Sequence, residues 1–262
     1  MTTTSPDLDA TAALLDDAAR EARGMDQLGL DASVAEAYDI QRRSMARREA
    51  RGERLIGIKM GLTSRAKMAQ VNITEVIWGQ LTDAMVVENG GTMDASRFGQ
   101  PRAEPEIAFR LGKSLSGVVT ELEAWAAIEG VAPAVEILDS RFRNFKFNLA
   151  DAIADNCSAA GLVVGPWTAP GVDFSNLGMC MSIDGRPVGI GSSAAILGHP
   201  IRTLVAAARL TAQYGGELRA GDIFLSGAPT AAVPLKPGMR VSLEVQSLGQ
   251  CGFSVTTPSE GA

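Results

Sequence analysis

From Arg54 onward the chain is a succession of short apolar segments broken by Gly and Pro: LIGIKM, AMVVE, EPEIAF, AVEIL, GLVVG, MCMSID, VGIG, DIFLSG and MRVSLEVQ. Such runs read as strands. Helical patterns interrupt them at 64–71, 121–129, 149–156 and 200–214, the last with Pro200 near its first turn. They do not alternate regularly with the strands, so a doubly wound parallel sheet is set aside for a mixed, β-rich α+β fold. Asp184-Gly185 between two strand runs signals a hairpin. Upstream, Leu8, Ala12, Leu15, Ala19 and Ala22 recur at helical spacing over 6–23, with Gly24 as the expected stop. A second helix starts at Ser33, where Glu36 completes a capping box. It carries Val34, Tyr38, Gln41 and Met45 on one face and ends near Gly52. The organisation expected is an N-terminal helical segment over 1–52 and a β-rich domain over 53–262 that holds any catalytic site.

Composition narrows the function. With 46% of 262 residues hydrophobic and 21% charged, the chain can bury a full core, which rules out disorder and collagen. Its 30 acids outnumber 24 bases, and the only basic cluster is Arg42, Arg43, Arg47, Arg48 and Arg51 on the second helix. Nucleic acid is therefore excluded as a partner. The cluster reads as a solvated face with charge that favours the helix C-terminus, serving solubility or a subunit contact. No apolar run approaches the ~20 residues that span a bilayer. The start, MTTTSPDLDATAALLDDAAR, is acidic where a signal peptide is basic, so a soluble cytoplasmic protein with no membrane partner is expected. Cys157, Cys180 and Cys251 are odd in number and not in CxxC spacing, which fits a reducing compartment without disulfides or a thiolate zinc site. His199 is the only histidine. Histidine-rich metal sites are gone, and a Ser/His/Asp triad survives only with His199 as its base.

Three motif matches carry little. Gly112-Lys113-Ser114 lacks the upstream glycine of a phosphate loop, since Ile107 stands there. Gly189-Ile190-Gly191-Ser192-Ser193-Ala194 lies in a hairpin with no helix following, against a dinucleotide site. Ser64-Arg65-Ala66-Lys67 has no SDN or KTG companion and reads as a helix cap. The informative segment is Glu104-Pro105-Glu106-Ile107-Ala108-Phe109. In a strand Glu104 and Glu106 point the same way, ~7 Å apart, while Ile107 and Phe109 face the other side. Paired carboxylates are tolerable around a cation, with one protonated, or on a solvated edge, so the spacing alone leaves a metal site and a solvated acidic strand equally open. Glu136 lies in the apolar run 131–138, where an acid is expected to be paired or metal-bound. Three carboxylates without histidine suit a hard, oxygen-seeking ion such as Mg²⁺ or Mn²⁺. Lys59, inside Leu55-Ile56-Gly57-Ile58-Lys59-Met60, is partnered by a carboxylate, poised for proton transfer, or a snorkelling edge lysine. Lys146, between Phe145 and Phe147, invites the same two readings.

Taken in order, the stretches 57–64, 104–106, Val135-Glu136-Ile137-Leu138-Asp139-Ser140-Arg141, Ala154-Asp155-Asn156-Cys157-Ser158 and Ala195-Ile196-Leu197-Gly198-His199-Pro200 resemble the hydratase/decarboxylase family of aromatic meta-cleavage pathways. That family comprises 2-hydroxypentadienoate hydratases and 4-oxalocrotonate (2-oxo-3-hexenedioate) decarboxylases, within the fumarylacetoacetate hydrolase superfamily, and the likeness covers nearly the whole chain. It implies a mixed β-roll with an N-terminal helical part, and Mg²⁺ or Mn²⁺ held by Glu104, Glu106 and Glu136. It further implies Lys59 as the group that orients the chelating end of a 2-oxo dicarboxylate or moves a proton, and Lys146 as partner of a substrate carboxylate. Leu62, Thr63, Ser158 and Thr230 would line the substrate. A homo-oligomer is expected, and a complex with the pathway hydratase, because the product is an unstable enol.

Family hydratases carry an aspartate before an aromatic-Gly pair, in a PDFG-like pattern. Here Glu75-Val76-Ile77-Trp78-Gly79 puts Ile77 in its place, and an isoleucine cannot transfer a proton. Lys59–Ser64 with Ala66-Lys67-Met68-Ala69-Gln70, and Asn144-Phe145-Lys146-Phe147, also resemble the decarboxylases. Asn72, where glycine is usual, and Cys157, where alanine is usual, depart from the family and bear on pocket shape. The resemblance thus implies a metal-dependent carboxy-lyase that turns 2-oxo-3-hexenedioate into 2-hydroxypenta-2,4-dienoate and CO₂. The competing readings are a 2-hydroxypenta-2,4-dienoate hydratase, an acylpyruvate-type hydrolase or isomerase, and a non-catalytic partner subunit. The second should show a Glu/His pair early in the catalytic domain, far from His199. Retention of Lys59 and all three glutamates argues against the third. His199 either assists proton transfer, its unperturbed pKa lying near neutrality, or caps the start of the 200–214 helix, and Asp155 is structural or supports the site.

Overall fold

The computed structural model describes residues 7–64 and 75–257. The helix expected over 64–71, with Lys67 and Asn72, falls outside the described residues beyond Ser64. Two helices open the chain, α1 (Leu8–Arg20) and α2 (Val34–Ala50). The Ser33 hydroxyl accepts from the Glu36 amide while Glu36 accepts from the Ser33 amide, the reciprocal cap the sequence announced. α1 stops before Gly24. Ala22 takes the left-handed conformation instead, and the Arg23 amide reaches back to the Ala18 carbonyl. The α2 arginines are not an open solvated face. Arg47 and Arg51 converge on the buried carboxylate of Asp16 in α1, and Arg43 bridges Asp9 and Asp39. They clasp one helix to the other.

The strands follow as β1 (Leu55–Gly61), β2 (Ile77–Thr82), β3 (Thr92–Asp94), β4 (Arg102–Leu111), β5 (Ile128–Leu138), β6 (Ala159–Val164), β7 (Gly178–Ile183), β8 (Arg186–Ser192), β9 (Ile223–Leu225), β10 (Val233–Pro234), β11 (Arg240–Val245) and β12 (Gly249–Thr256). Between them lie α3 (Glu121–Ala127), α4 (Leu149–Ala154) and α5 (Ile201–Tyr214). One sheet runs β2-β1-β9-β4-β5-β6 with β10 on β4, and the second runs β3-β12-β11-β7-β8. The β7–β8 hairpin turns on Asp184 and Gly185, both at positive φ. The AMVVE run is no strand: Asp83–Met85 forms a 3-10 turn anchored by the Asp83 carboxylate on the Arg54 amide, and only Val86 bridges to Leu162. β2, β3, β10 and β12 were not expected.

Alternation along β4 and β5 separates two environments. Ile107, Phe109, Val131, Val135 and Ile137 join Met181, Val241, Leu243, Phe253 and Val255 of the second sheet in the main core. The other face of the same two strands carries Glu104, Glu106 and Glu136, turned away from that core.

Candidate metal centre and active site

β4 and β5 pair antiparallel with Glu104 directly opposite Glu136 and Glu106 one pleat further along. This register brings one oxygen from each of the three carboxylates within 4.8 Å of the others. Glu106 and Glu136 are fully buried and Glu104 is half-buried, so the trio has a sealed floor and an open edge. The Gly227 amide donates to Glu106 Oε2 at 2.7 Å. Glu106 Oε1 and Glu136 Oε2 are buried and accept no hydrogen bond. A buried oxygen left in that state is costly unless an ion takes it up.

Lys59 enters from β1, whose register sets it opposite Gly79 of β2. Its Nζ lies 2.8 Å from Glu136 Oε1 and donates to the Cys157 carbonyl at 3.2 Å. The Glu136 contact is a short charge-assisted pair on Oε1, which leaves Glu136 Oε2 with its lone pairs unused. Burial pushes the Lys59 ammonium down, but Glu136 and, more weakly, Cys157 and Glu106 outweigh it, and the lysine is held charged above its ordinary value. Burial raises both acids. Glu136 is pushed up to about 7 against the pull of Lys59, and Glu106 is raised well above the usual carboxylate range, with Glu136 adding to the effect of burial. Once both are ionised, the two sealed carboxylates face one ammonium, which leaves surplus negative charge even before Glu104 is counted. All-oxygen donors, orphaned lone pairs and that surplus fit a hard divalent cation such as Mg²⁺ or Mn²⁺.

The remaining expected residues take individual places in the fold. Thr63 is buried against Gly227, whose missing side chain makes room for it: a Cβ there would lie 2.1 Å from Thr63 Oγ1. Leu62, at positive φ and half-buried, begins the segment after β1. Ser158 is buried beside Cys157. Thr230 packs on Gly189 and Gly191 of β8, three residues beyond Gly227. Lys146 is exposed after the Arg143–Phe145 turn and stands outside the Lys59–Glu136 contact. Ile77 begins β2 opposite Gly61, on the face that Lys59 shares with Gly79. His199 Nδ1 accepts from the Ile201 amide at 3.1 Å and so caps α5, with its ring edge-on to Phe174. Asp155 forms a buried pair with Arg141 and also accepts from the Arg141 amide. The Gly227 amide, the Cys157 carbonyl and Asn156 were missed by the sequence reading. Two of them act through the backbone, which leaves no side-chain signature.

The fold and this carboxylate–lysine centre define a class: the chain belongs to the fumarylacetoacetate hydrolase family, whose C-terminal domain it matches over residues 54–256. It is 58% identical over 244 residues to 4-oxalocrotonate decarboxylase of a Pseudomonas species, covering 92% of this chain and 95% of the relative. A 2-keto-4-pentenoate hydratase of Paraburkholderia xenovorans is 38% identical over 222 residues, covering 84% of this chain and 82% of that one. Among solved structures, 4-oxalocrotonate decarboxylase from Pseudomonas putida, complexed with magnesium and adipate, superposes with a TM-score of 0.93 at 35% identity. It covers 97% of this chain and 99% of its own.

Proposed function

We propose that this protein is a divalent-metal-dependent carboxy-lyase that converts 2-oxo-3-hexenedioate to 2-hydroxypenta-2,4-dienoate and CO₂. The observation that carries the reading is the trio Glu104, Glu106 and Glu136, the last two fully buried and Glu136 charge-paired to Lys59, on a face where position 77 offers isoleucine instead of a proton-handling acid. The likeness to decarboxylases, stronger than that to hydratases, supports it. Glu104, Glu106 and Glu136 hold Mg²⁺ or Mn²⁺, and the bound ion supplies a Lewis acid for charge that develops on the 2-oxo group as CO₂ leaves.

Lys59, fixed and charged, orients the chelating end of the substrate or returns a proton after CO₂ departs. Thr63, Ser158 and Thr230 offer hydroxyls to substrate oxygens and Leu62 an apolar wall. Lys146, exposed after the Arg143–Phe145 turn, is the cation assigned to the substrate carboxylate. The buried Ile77 starves the reaction of an activated water, which separates this chemistry from hydration of the dienol. The three free cysteines suit a reducing cytoplasm. Instability of the enol product favours a homo-oligomer docked to the hydratase that consumes it.

The test supplies Mg²⁺ and either 2-oxo-3-hexenedioate or 2-hydroxypenta-2,4-dienoate to the purified protein, following CO₂ and dienol absorbance separately. CO₂ from the first substrate, absent in Glu106→Gln and after chelation, is the expected result. Consumption of the dienol without CO₂ makes the protein a hydratase instead.

A further inference from the structure

Asn156, Cys157 and Ser158 all hold positive φ, at 50°, 51° and 60°. L-residues visit this region singly, and a run of three without glycine persists only where its surroundings over-determine it. Here they do. β2 is the outer strand of its sheet, and the Asn156 carboxamide covers its open edge as a neighbouring strand would. Its Oδ1 accepts from the Gln80 amide at 2.7 Å and its Nδ2 donates to the Gln80 carbonyl at 2.9 Å. On one side of the turn Asp155 is tied to Arg141, and on the other the Asp139 amide donates to the Ser158 carbonyl. Cys157 Sγ donates to the Trp78 carbonyl at 3.0 Å. Gly79 completes the seat: a Cβ at that position would stand 2.5 Å from the Asn156 carbonyl. Gly79 is also the residue paired with Lys59, so its bare Cα lets the turn settle over the face from which Lys59 projects.

The consequence falls on one atom. The turn aims the Cys157 carbonyl at Lys59 Nζ, which leaves the ammonium suspended between that carbonyl and Glu136. We infer that Asn156 is a positioning residue of the reaction: by locking the left-handed turn 156–158 onto the edge of β2, it fixes the Lys59 ammonium where the substrate must meet it. Because the group that touches Lys59 is a main-chain carbonyl, the specificity of the device lies in Asn156 and Gly79 rather than in the side chain of Cys157. The inference rests on the decarboxylase reading, and its test keeps the two apart.

Wild type, Asn156→Ala and Asn156→Gly are compared with Mg²⁺ bound, for kcat, KM and melting temperature. Lys59 accessibility is read on the same proteins by reductive methylation and mass spectrometry. In Asn156→Ala, kcat falls about a hundredfold through misalignment of the ammonium, while KM stays within about threefold. Asn156→Gly, free to hold the left-handed backbone without the clamp, recovers part of the loss. Lys59, sealed in wild type, becomes methylated faster in Asn156→Ala. A kcat within about threefold of wild type, or a loss that merely tracks the unfolded fraction while Lys59 stays protected, overturns the inference. If Asn156→Ala does not fold, Gly79→Ala presses on the same contact and takes its place. If wild type releases no CO₂, the decarboxylase reading fails, and the methylation arm still decides whether the turn holds Lys59.

Discussion

Glu136 shows why a residue's neighbours in sequence can disclose its chemistry. An acid inside an apolar strand has no solvent to rely on, and the structure gives it Lys59 on one side and Glu106 on the other. Glu106→Gln keeps the shape and the Gly227 contact but removes one negative donor. Mn²⁺ affinity should drop at least about tenfold, with decarboxylation lost in step. Titration of Mn²⁺ by its paramagnetic signal checks this, and unchanged affinity would remove Glu106 from the metal site. The acids and Lys59 were legible because each is a charged side chain at an apolar strand position. Gly227 and Cys157 were not, since an amide that steadies Glu106 and a carbonyl that holds Lys59 are groups every residue carries. For His199 the sequence left proton transfer and helix capping both open, and the Ile201 amide on Nδ1 selects the cap.

Among the elements, the α1–α2 pair depends on charge to a degree its sequence conceals. Asp16 is nearly inaccessible, yet it takes hydrogen bonds from Arg47 and Arg51, and these overcome burial to hold its carboxyl below the ordinary range. A depressed carboxylate stabilises the fold above its unfolded pKa and loses that contribution as pH falls through the lower, folded value. Asp16→Ala strands those arginines, but they are partly exposed, so water softens the loss to about 1–3 kcal/mol. That corresponds to a fall of roughly 2–10 °C in Tm by calorimetry. A change under a degree would reduce the clasp to surface decoration. Capping made α2 legible to within a turn. β2 escaped because Ile77–Thr82 is buried on both faces, so polar Gln80 and Thr82 break the alternation that marks a half-exposed strand. The basic cluster was misread for a related reason: helical spacing shows which arginines share a face, but not that α1 lies across it with Asp16.

For the molecule as a whole, the proposed metal centre would act as a cross-link whose strength depends on pH. It joins β4 and β5 to β1 through Lys59 and to the segment after β9 through Gly227, so its occupancy bears on global unfolding. In the metal-free fold, Glu136 at about 7 and Glu106 well above its usual value bind protons more tightly than in the unfolded chain. Between the ordinary carboxylate range and about pH 7 the folded state therefore carries more protons, and stability declines as pH rises through that window. Lys59 is charged in both states there and adds no slope. A divalent ion binds the deprotonated carboxylates, so its stabilising increment grows over the same interval in which the metal-free fold weakens. The gap in Tm between Mn²⁺-saturated and chelated protein should widen from about pH 6 to about pH 8. In Glu106→Gln, where one of the two repelling charges is gone, the chelated protein should be more stable at the upper end than chelated wild type, and the metal should add little. A gap that stays flat or narrows with pH would mean that the carboxylates are already ionised and satisfied without the ion, and the case for a cation between them would fall with it.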